Sequence, residues 1–264
     1  MPIITLTTDF GLTDHYVGVM KGVILSLAPR ATVVDITHDV PPFAVNEGAF
    51  QVSEAWSYFP KKTVHVVVVD PGVGSERRPI LVEAGGHYFV GPDNGVLALV
   101  YGGAKAAAKP KVRHITNQKL FGKQMSATFH GRDVFAPVAA HLAKGVKAAQ
   151  VGPVIEDYLR PQAEKPVRTG HRVWQGTVLR IDRFGNLITN LLVSEFPAVL
   201  ERPFVMIPGV VRVERLIRHY SEGGIGETAV IVGSSGYLEV VANQGSAAKI
   251  LGVGVGAPVE LSLY

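Results

Sequence analysis

The chain has 264 residues, of which 47% are hydrophobic and 18% charged, with a formal net charge of +4 at pH 7 and no cysteine. That is material for one large domain or two modest ones. It excludes disulfides and thiolate metal sites, and lysines and arginines scattered along the chain disfavour a nucleic-acid partner. The first residues show no basic-then-apolar leader and no apolar run reaches bilayer length, which predicts a soluble, cytoplasmic protein with no membrane association.

Residues 3–8 predict a first strand ending at Asp9, Phe10 and Gly11. Thr13 or Asp14 is placed to cap a helix whose apolar positions Tyr16, Val17, Met20, Val23, Ile24 and Leu27 keep the helical period. The helix stops before Pro29. Residues 32–37 predict a second strand ending at His38-Asp39, and a second helix follows over roughly 44–58. The third strand opens the segment VHVVVVDPGVGSERR, residues 64–78. Its β-branched run has the pattern of a strand buried on both faces. The β-α-β-α-β order predicts a mainly parallel sheet with right-handed crossovers.

A short hairpin is predicted from 80–83 and 87–90 around Gly85-Gly86. Pro92-Asp93-Asn94-Gly95 is a turn leading into a short helix near 96–101, and 102–111 reads as a surface connection. A further strand is predicted at 112–115, and TFHGRD, residues 128–133, precedes a helix over 134–142. The first domain is taken as 1–160. The polar, proline-bearing stretch 161–171 reads as a linker. Beyond it the helical period disappears, and short strands near 175–181, 187–192, 204–207, 228–232, 237–241 and 258–263 predict a small β-barrel or sandwich over 172–264.

Ligands in open α/β sheets bind beyond the carboxyl ends of the strands. Asp9, Asp39, Asp70, Asp93 and Asn94 all fall at predicted strand ends, and His130 precedes a helix. Asp70 is followed by a tight turn and then by Arg77 and Arg78, the makings of a site. Each residue also has a plainer reading. Asp70 and Asp9 are able to serve only their own turns, His130 to be structural, Phe43 to anchor a core, and Asp182-Arg183-Phe184-Gly185-Asn186 to be a hairpin turn. Several short matches fail on context. Asp9-Phe10-Gly11 and His130-Gly131-Arg132-Asp133 occur in the wrong order for a kinase. Gly72-Val73-Gly74 lacks the third glycine of a dinucleotide fingerprint, and no HExxH-type spacing supports a metal site.

Taken together, TDFG at 8–11, YVGVMKG at 16–22, DITHDVPP at 35–42, VVDPGVG at 68–74, GPDNG at 91–95, TFHGRD at 128–133, DRFGNLITN at 182–190 and SSGYLEV at 234–240 resemble one family. It is the S-adenosyl-L-methionine hydroxide adenosyltransferases, adenosine-forming S-adenosylmethionine (SAM) hydrolases related to the fluorinases and chlorinases. The resemblance implies an α/β class: an N-terminal α/β/α domain, a smaller C-terminal β-barrel, and a homotrimer with active sites between neighbouring subunits. It implies a catalytic set of Asp70, Arg77 and His130. Asp9 would hold the ribose hydroxyls, with the aromatics Phe43 and Phe129 among the substrate-binding residues. Asp182, Phe184 and Asn186 would hold the methionine end and the adenine, with Ser234 and Glu239 in a further binding stretch. Ile188 departs from the halogenating relatives, which carry tryptophan there. SAM is the implied substrate, with no cofactor and no metal.

The implied reaction is attack of water or hydroxide on C5′ of the ribose, with methionine leaving as a neutral thioether. A sulfonium needs no general acid, so the difficulty is the nucleophile, since bulk water has a pKa of about 15.7. With an ordinary pKa of about 6.5, His130 is the natural base, while Arg77 stays charged and orients Asp70. Two rivals stand beside this reading: a halide-dependent 5′-halo-5′-deoxyadenosine synthase, and a nucleoside-binding protein without turnover. Halogenating relatives carry uncharged residues at the positions of Asp70 and His130, and often serine where this chain has Gly131. A fixed carboxylate by the nucleophile would also repel a halide.

Overall fold

A computed structural model describes residues 1–102, 110–161 and 165–264, so most of the surface connection expected at 102–111 lies outside the described residues. The chain divides into two compact units, Met1–Gln162 and Ala163–Tyr264.

In unit 1 the elements run β1 (Ile3–Thr8), α1 (Tyr16–Leu27), β2 (Thr32–Thr37), α2 (Val45–Ala55), β3 (Val64–Val68), β4 (Pro79–Ala84), β5 (His87–Pro92), α3 (Ala98–Gly102), β6 (Lys111–His114) and α4 (Ala136–Ala143). The sheet order is β2-β1-β3-β5-β4-β6. β1 is parallel to β2 and β3, and β3 to β5, while β4 runs antiparallel to both β5 and β6. The sheet is therefore mainly parallel, with the hairpin strand β4 the exception. Every residue of β3 is buried. Val64, Val66 and Val68 join a core with Met20 and Ile24 of α1 and Val138, Ala139 and Leu142 of α4. Val67 and the following Val69 join a second core with Val52 of α2, Trp56, and Val100 of α3. Strand alternation thus builds the α/β/α layers, each buried valine contributing about 1.5–3 kcal/mol.

Three local expectations differ. The residue preceding α1 is His15, with no side-chain cap, in place of Thr13 or Asp14. The second helix ends at Ala55 and tightens into a 3₁₀ turn over Trp56–Tyr58. The helix expected from 134 begins as a π-helical turn over Gly131–Phe135 before α4.

Unit 2 contains β7 (Val167–Gly170), β8 (Val173–Ile181), β9 (Leu187–Leu192), β10 (Phe204–Pro208), β11 (Leu216–Ile217), β12 (Thr228–Val232), β13 (Tyr237–Ala242), the short helix α5 (Ala247–Leu251) and β14 (Pro258–Leu263). The strand order is β10-β14-β8-β9-β13-β12-β11, with β7 pairing β8. The segment read as a linker at 161–171 therefore contains a strand: Val167 and Arg168 pair with Gln175 and Trp174. Polar composition hid it, because all four residues of β7 are exposed. The sheet curls on itself. Met206 of β10 and Val213, three residues before β11, exchange both backbone hydrogen bonds at 2.9 and 2.8 Å, a single bridge between the two ends of the path. Phe196, Phe204, Met206, Val230, Leu238, Val240 and Leu261 fill its core.

Among the described residues no helix is long and apolar enough to cross a membrane.

Candidate active site

β1 and β3 are parallel neighbours, with Thr8 opposite Val68, so Asp9 and Asp70 leave the sheet at the same carboxyl end. Asn94 extends β3 beyond its ladder by donating from Nδ2 to the Val69 carbonyl at 2.8 Å. The turn that follows is held to a second loop by close approach. Gly74 has φ +79, and a Cβ there would lie 2.2 Å from the carbonyl oxygen of Ala127, so only glycine fits. That second loop leads into Phe129 and His130. Asp133, buried in the π-helical turn, accepts from the Ser126 amide at 2.7 Å and from Arg132 Nε at 2.6 Å, which fixes the approach to His130. Single-turn π elements cluster at functional sites, and this one sits directly after His130.

These constraints bring Asp70, Arg77 and His130 into one contact. Arg77 donates from Nε to Asp70 Oδ1 at 3.0 Å and from Nη2 to Asp70 Oδ2 at 2.5 Å. The two side chains are only 8% and 4% exposed. Nη2 also reaches His130 Nδ1 at 2.7 Å, across 53 residues of sequence. The guanidinium lies over the Phe135 ring, 5.5 Å from its centroid. Nη1 of Arg77 is buried and has no hydrogen-bond partner among the described residues. Arg78 is engaged elsewhere, with Asp93 and Asp157 both at 2.9 Å.

This geometry fixes protonation. A guanidinium only donates, so His130 Nδ1 accepts and the neutral ring carries its proton on Nε2. Burial, then the Arg77 charge, holds the imidazole below its ordinary pKa. His130 therefore offers an N–H donor at Nε2, not the basic nitrogen expected of a general base. The halide argument also changes. Asp70 is paired two-pronged with Arg77, so its charge is matched locally and its repulsion of an anion is largely cancelled.

Asp9 is half-buried and accepts at Oδ2 from the Phe43 amide at 2.9 Å. Phe43 is 71% exposed and has φ 68. Phe129 is buried and packs edge-on against Phe10 and Tyr16, as part of the core. Two surface hollows of about 450 and 640 Å³ lie at the opposite end of the strands, and neither is lined by Asp70, Arg77 or His130.

Unit 2 assembles a separate polar cluster. Asp182 Oδ1 accepts from the Phe184 and Asn186 amides, each at 2.9 Å, and Oδ2 accepts from Asn186 Nδ2 at 2.9 Å. Asn186 is buried and Phe184 is 77% exposed. Glu239 on β13 is opposite Ile188 on β9 and tucks against bare backbone, since a Cβ on Gly233 would lie 1.8 Å from its Oε1. Burial, with the Asp182 charge beside it, pushes the Glu239 carboxyl up to about 7. Ser234 is exposed in the β12–β13 turn. Among the described residues no group of three or more His, Asp or Glu side chains is arranged to hold a metal.

Sequence reasoning missed three contributors. Asp133 and the π-helical turn leave no periodic signal. Gly74 is visible in DPGVG, but its partner loop lies some fifty residues away, which only the folded chain discloses.

A three-layer α/β unit with a part-buried acid–guanidinium–imidazole contact at its strand ends, followed in the chain by a curled β unit, presents a group set of the kind small-molecule enzymes use. The chain belongs to the SAM hydroxide adenosyltransferase family: residues 4–152 match its N-terminal domain and 176–260 its C-terminal domain. It is 42% identical over 260 residues to an (R)-S-adenosyl-L-methionine hydrolase of Salinispora tropica, covering 96% of this chain and 94% of that one. A protein of the same name from Thermus thermophilus is 39% identical, covering 96% and 97%. A fluorinase of Actinoplanes is more distant, at 27% identity covering 92% and 91%. Among solved structures, a conserved protein from Thermotoga maritima matches with a TM-score of 0.90 at 38% identity, covering 98% and 99%.

Proposed function

We propose that this chain hydrolyses S-adenosyl-L-methionine to adenosine and L-methionine, releasing one proton, and that it does so in the cytoplasm as a homotrimer with active sites between neighbouring subunits. The observation that carries the chemistry is the Asp70–Arg77–His130 contact with its unpartnered guanidinium nitrogen. Arg77 Nη1 and His130 Nε2–H are two donors, one cationic, suited to hold an oxygen nucleophile and favour its hydroxide form. Asp70 locks the guanidinium in plane. The oxygen lone pair attacks C5′, the C5′–S bond breaks with its electrons going to sulfur, and the proton of the nucleophile leaves to solvent. Preorganised donors of this kind each contribute about 10²–10³ in rate, and in-line positioning as much as about 7–11 kcal/mol.

Asp9 is assigned the ribose hydroxyls, because its Oδ1 is not used by the Phe43 amide. Hydrolysis is preferred to halide transfer because the relatives at 34–42% identity are named hydrolases, whereas the fluorinases stand at 26–27%.

The test is product chromatography of the purified protein with SAM, with and without chloride. Equimolar adenosine and methionine, independent of chloride, is the expected result. Chloride-dependent haloadenosine, or binding without turnover, would overturn it.

A further inference from the structure

His38 lies outside the acid–guanidinium–imidazole contact, yet it is tied to Thr8 and Gly11, which flank Asp9 in the chain. Its side chain is only 2% exposed. Nδ1 is 2.8 Å from the hydroxyl of Thr8, which is fully buried at the end of β1. Nε2 is 3.0 Å from Asp35 Oδ1, close but poorly aimed for a linear hydrogen bond. The other oxygen of Asp35 takes Lys21 Nζ at 2.6 Å. A carboxylate only accepts, so an N–H on Nε2 faces Asp35, and in that tautomer Nδ1 accepts the Thr8 hydroxyl proton. Thr8 Oγ1 in turn accepts from the Phe10 amide at 3.2 Å. The hydrogen bonds thus run from His38 through Thr8 to the amide of Phe10, the residue after Asp9, and the Asp35 contact to Nε2 is electrostatic.

The same residue is tied a second time, since the His38 carbonyl accepts from the Gly11 amide at 2.8 Å. Asp9 supplies a third tie through the Phe43 amide. The loops 8–11 and 38–43 are thus stitched at three points, with Asp9 in the middle and Phe43 held at a positive φ that a bulky residue rarely adopts. A buried imidazole bridging two loops is costly to desolvate, and a plain apolar residue would pack there without that cost. The bonding pattern is what the imidazole adds.

We propose that His38 is a positioning residue for substrate binding: through Thr8 it sets the Asp9 loop against the Phe43 loop, so that the free oxygen of Asp9 meets the ribose hydroxyls. This rests on the reading of Asp9 as the ribose-binding carboxylate. A ribose contact of that kind is made equally in the ground and transition states, so its loss moves KM and leaves kcat.

The experiment compares wild type with His38→Ala, His38→Asn and Thr8→Val in SAM hydrolysis and in adenosine binding by calorimetry. His38→Ala is expected to raise KM about tenfold, in line with one positioned hydrogen bond, with kcat within about threefold. Thr8→Val, a near-isostere that keeps the loop packed, is expected to do the same should His38→Ala fold poorly. Asparagine reaches the Nδ1 position and restores KM to within about threefold. An unmoved KM, a fall in kcat alone, or no rescue by asparagine in a folded protein overturns the proposal. Should wild type neither turn over SAM nor bind adenosine, the proposed reaction fails. His38 is then judged by amide hydrogen exchange at Phe10 and Phe43, which must quicken in His38→Ala and Thr8→Val; unchanged exchange overturns the stitching role.

Discussion

Asp70 in unit 1 and Asp182 in unit 2 are both aspartates that open a glycine-bearing turn at the end of a strand, and they are used in opposite ways. Asp182 bonds inward: two amides and one side-chain amide of its own turn, all within four residues, occupy both oxygens. Asp70 bonds outward to a guanidinium seven residues away, which then reaches a histidine 53 residues further on. The first pattern stabilises a hairpin. The second holds a cation in a buried place with one nitrogen unpartnered, and that is where chemistry becomes possible. The difference lies in what the turn leaves exposed to the carboxylate: a set of free N–H groups at 182–186, an arginine folded back at 70–77.

The sharpest way to break the comparison is to remove the exported bond. Arg77→Met leaves Asp70 buried without its cation, and breaking a buried pair in this way costs roughly 3–5 kcal/mol. Denaturant unfolding should show that loss, together with a fall in turnover of at least about 10³-fold. A variant as stable as wild type would mean that Asp70 is satisfied by its turn after all, as Asp182 is.

Next in size is His130→Ala, expected to lower kcat about 10²–10³-fold while adenosine affinity changes only a few-fold, measured by methionine release and calorimetry. Wild-type turnover should also fall on the acid side, with its midpoint below the ordinary imidazole value, because protonation at Nδ1 sets a second cation against Arg77. A midpoint above 6.5 would contradict the tautomer assigned here.

The inward pattern predicts a different response. Asp182→Ala removes acceptors for three donors and should destabilise unit 2 by about 1–3 kcal/mol, with asparagine recovering part of that. Calorimetry checks this.

The remaining effects concern pH, and they have opposite signs in the two units. His65 in unit 1 is buried, and burial, then the neighbouring His87, pushes it down to about 3. The unfolded state therefore takes up the proton first as pH falls below 6.5, and stability is lost at roughly 1.4 kcal/mol per pH unit toward 3. Glu239 in unit 2 is pushed up to about 7, so the folded state holds the extra proton and stability is lost as pH rises from 4.5 through 7. His65→Gln should flatten the acid limb, and Glu239→Gln should raise the melting temperature at pH 8 relative to wild type. Equal pH responses in wild type and both variants would remove these groups from the balance.

Much of this molecule was legible in the residues because it is local. The unbroken valines of β3, the glycines of DPGVG and the alternation of unit 2 declare themselves through period and turn chemistry, which depend on near neighbours in the chain. The eight motifs carried the family in the same way. What the folded chain alone decided is relational. It closed Arg77 onto both Asp70 and His130, placed a π-helical turn after His130, turned the polar stretch before Val173 into β7, and set the proton of His130 on Nε2. Each of these is settled by which group arrives within about 3 Å from a distant part of the chain, and a hydrogen bond's direction is fixed by that partner. The sequence names the groups, but only packing decides which of them meet.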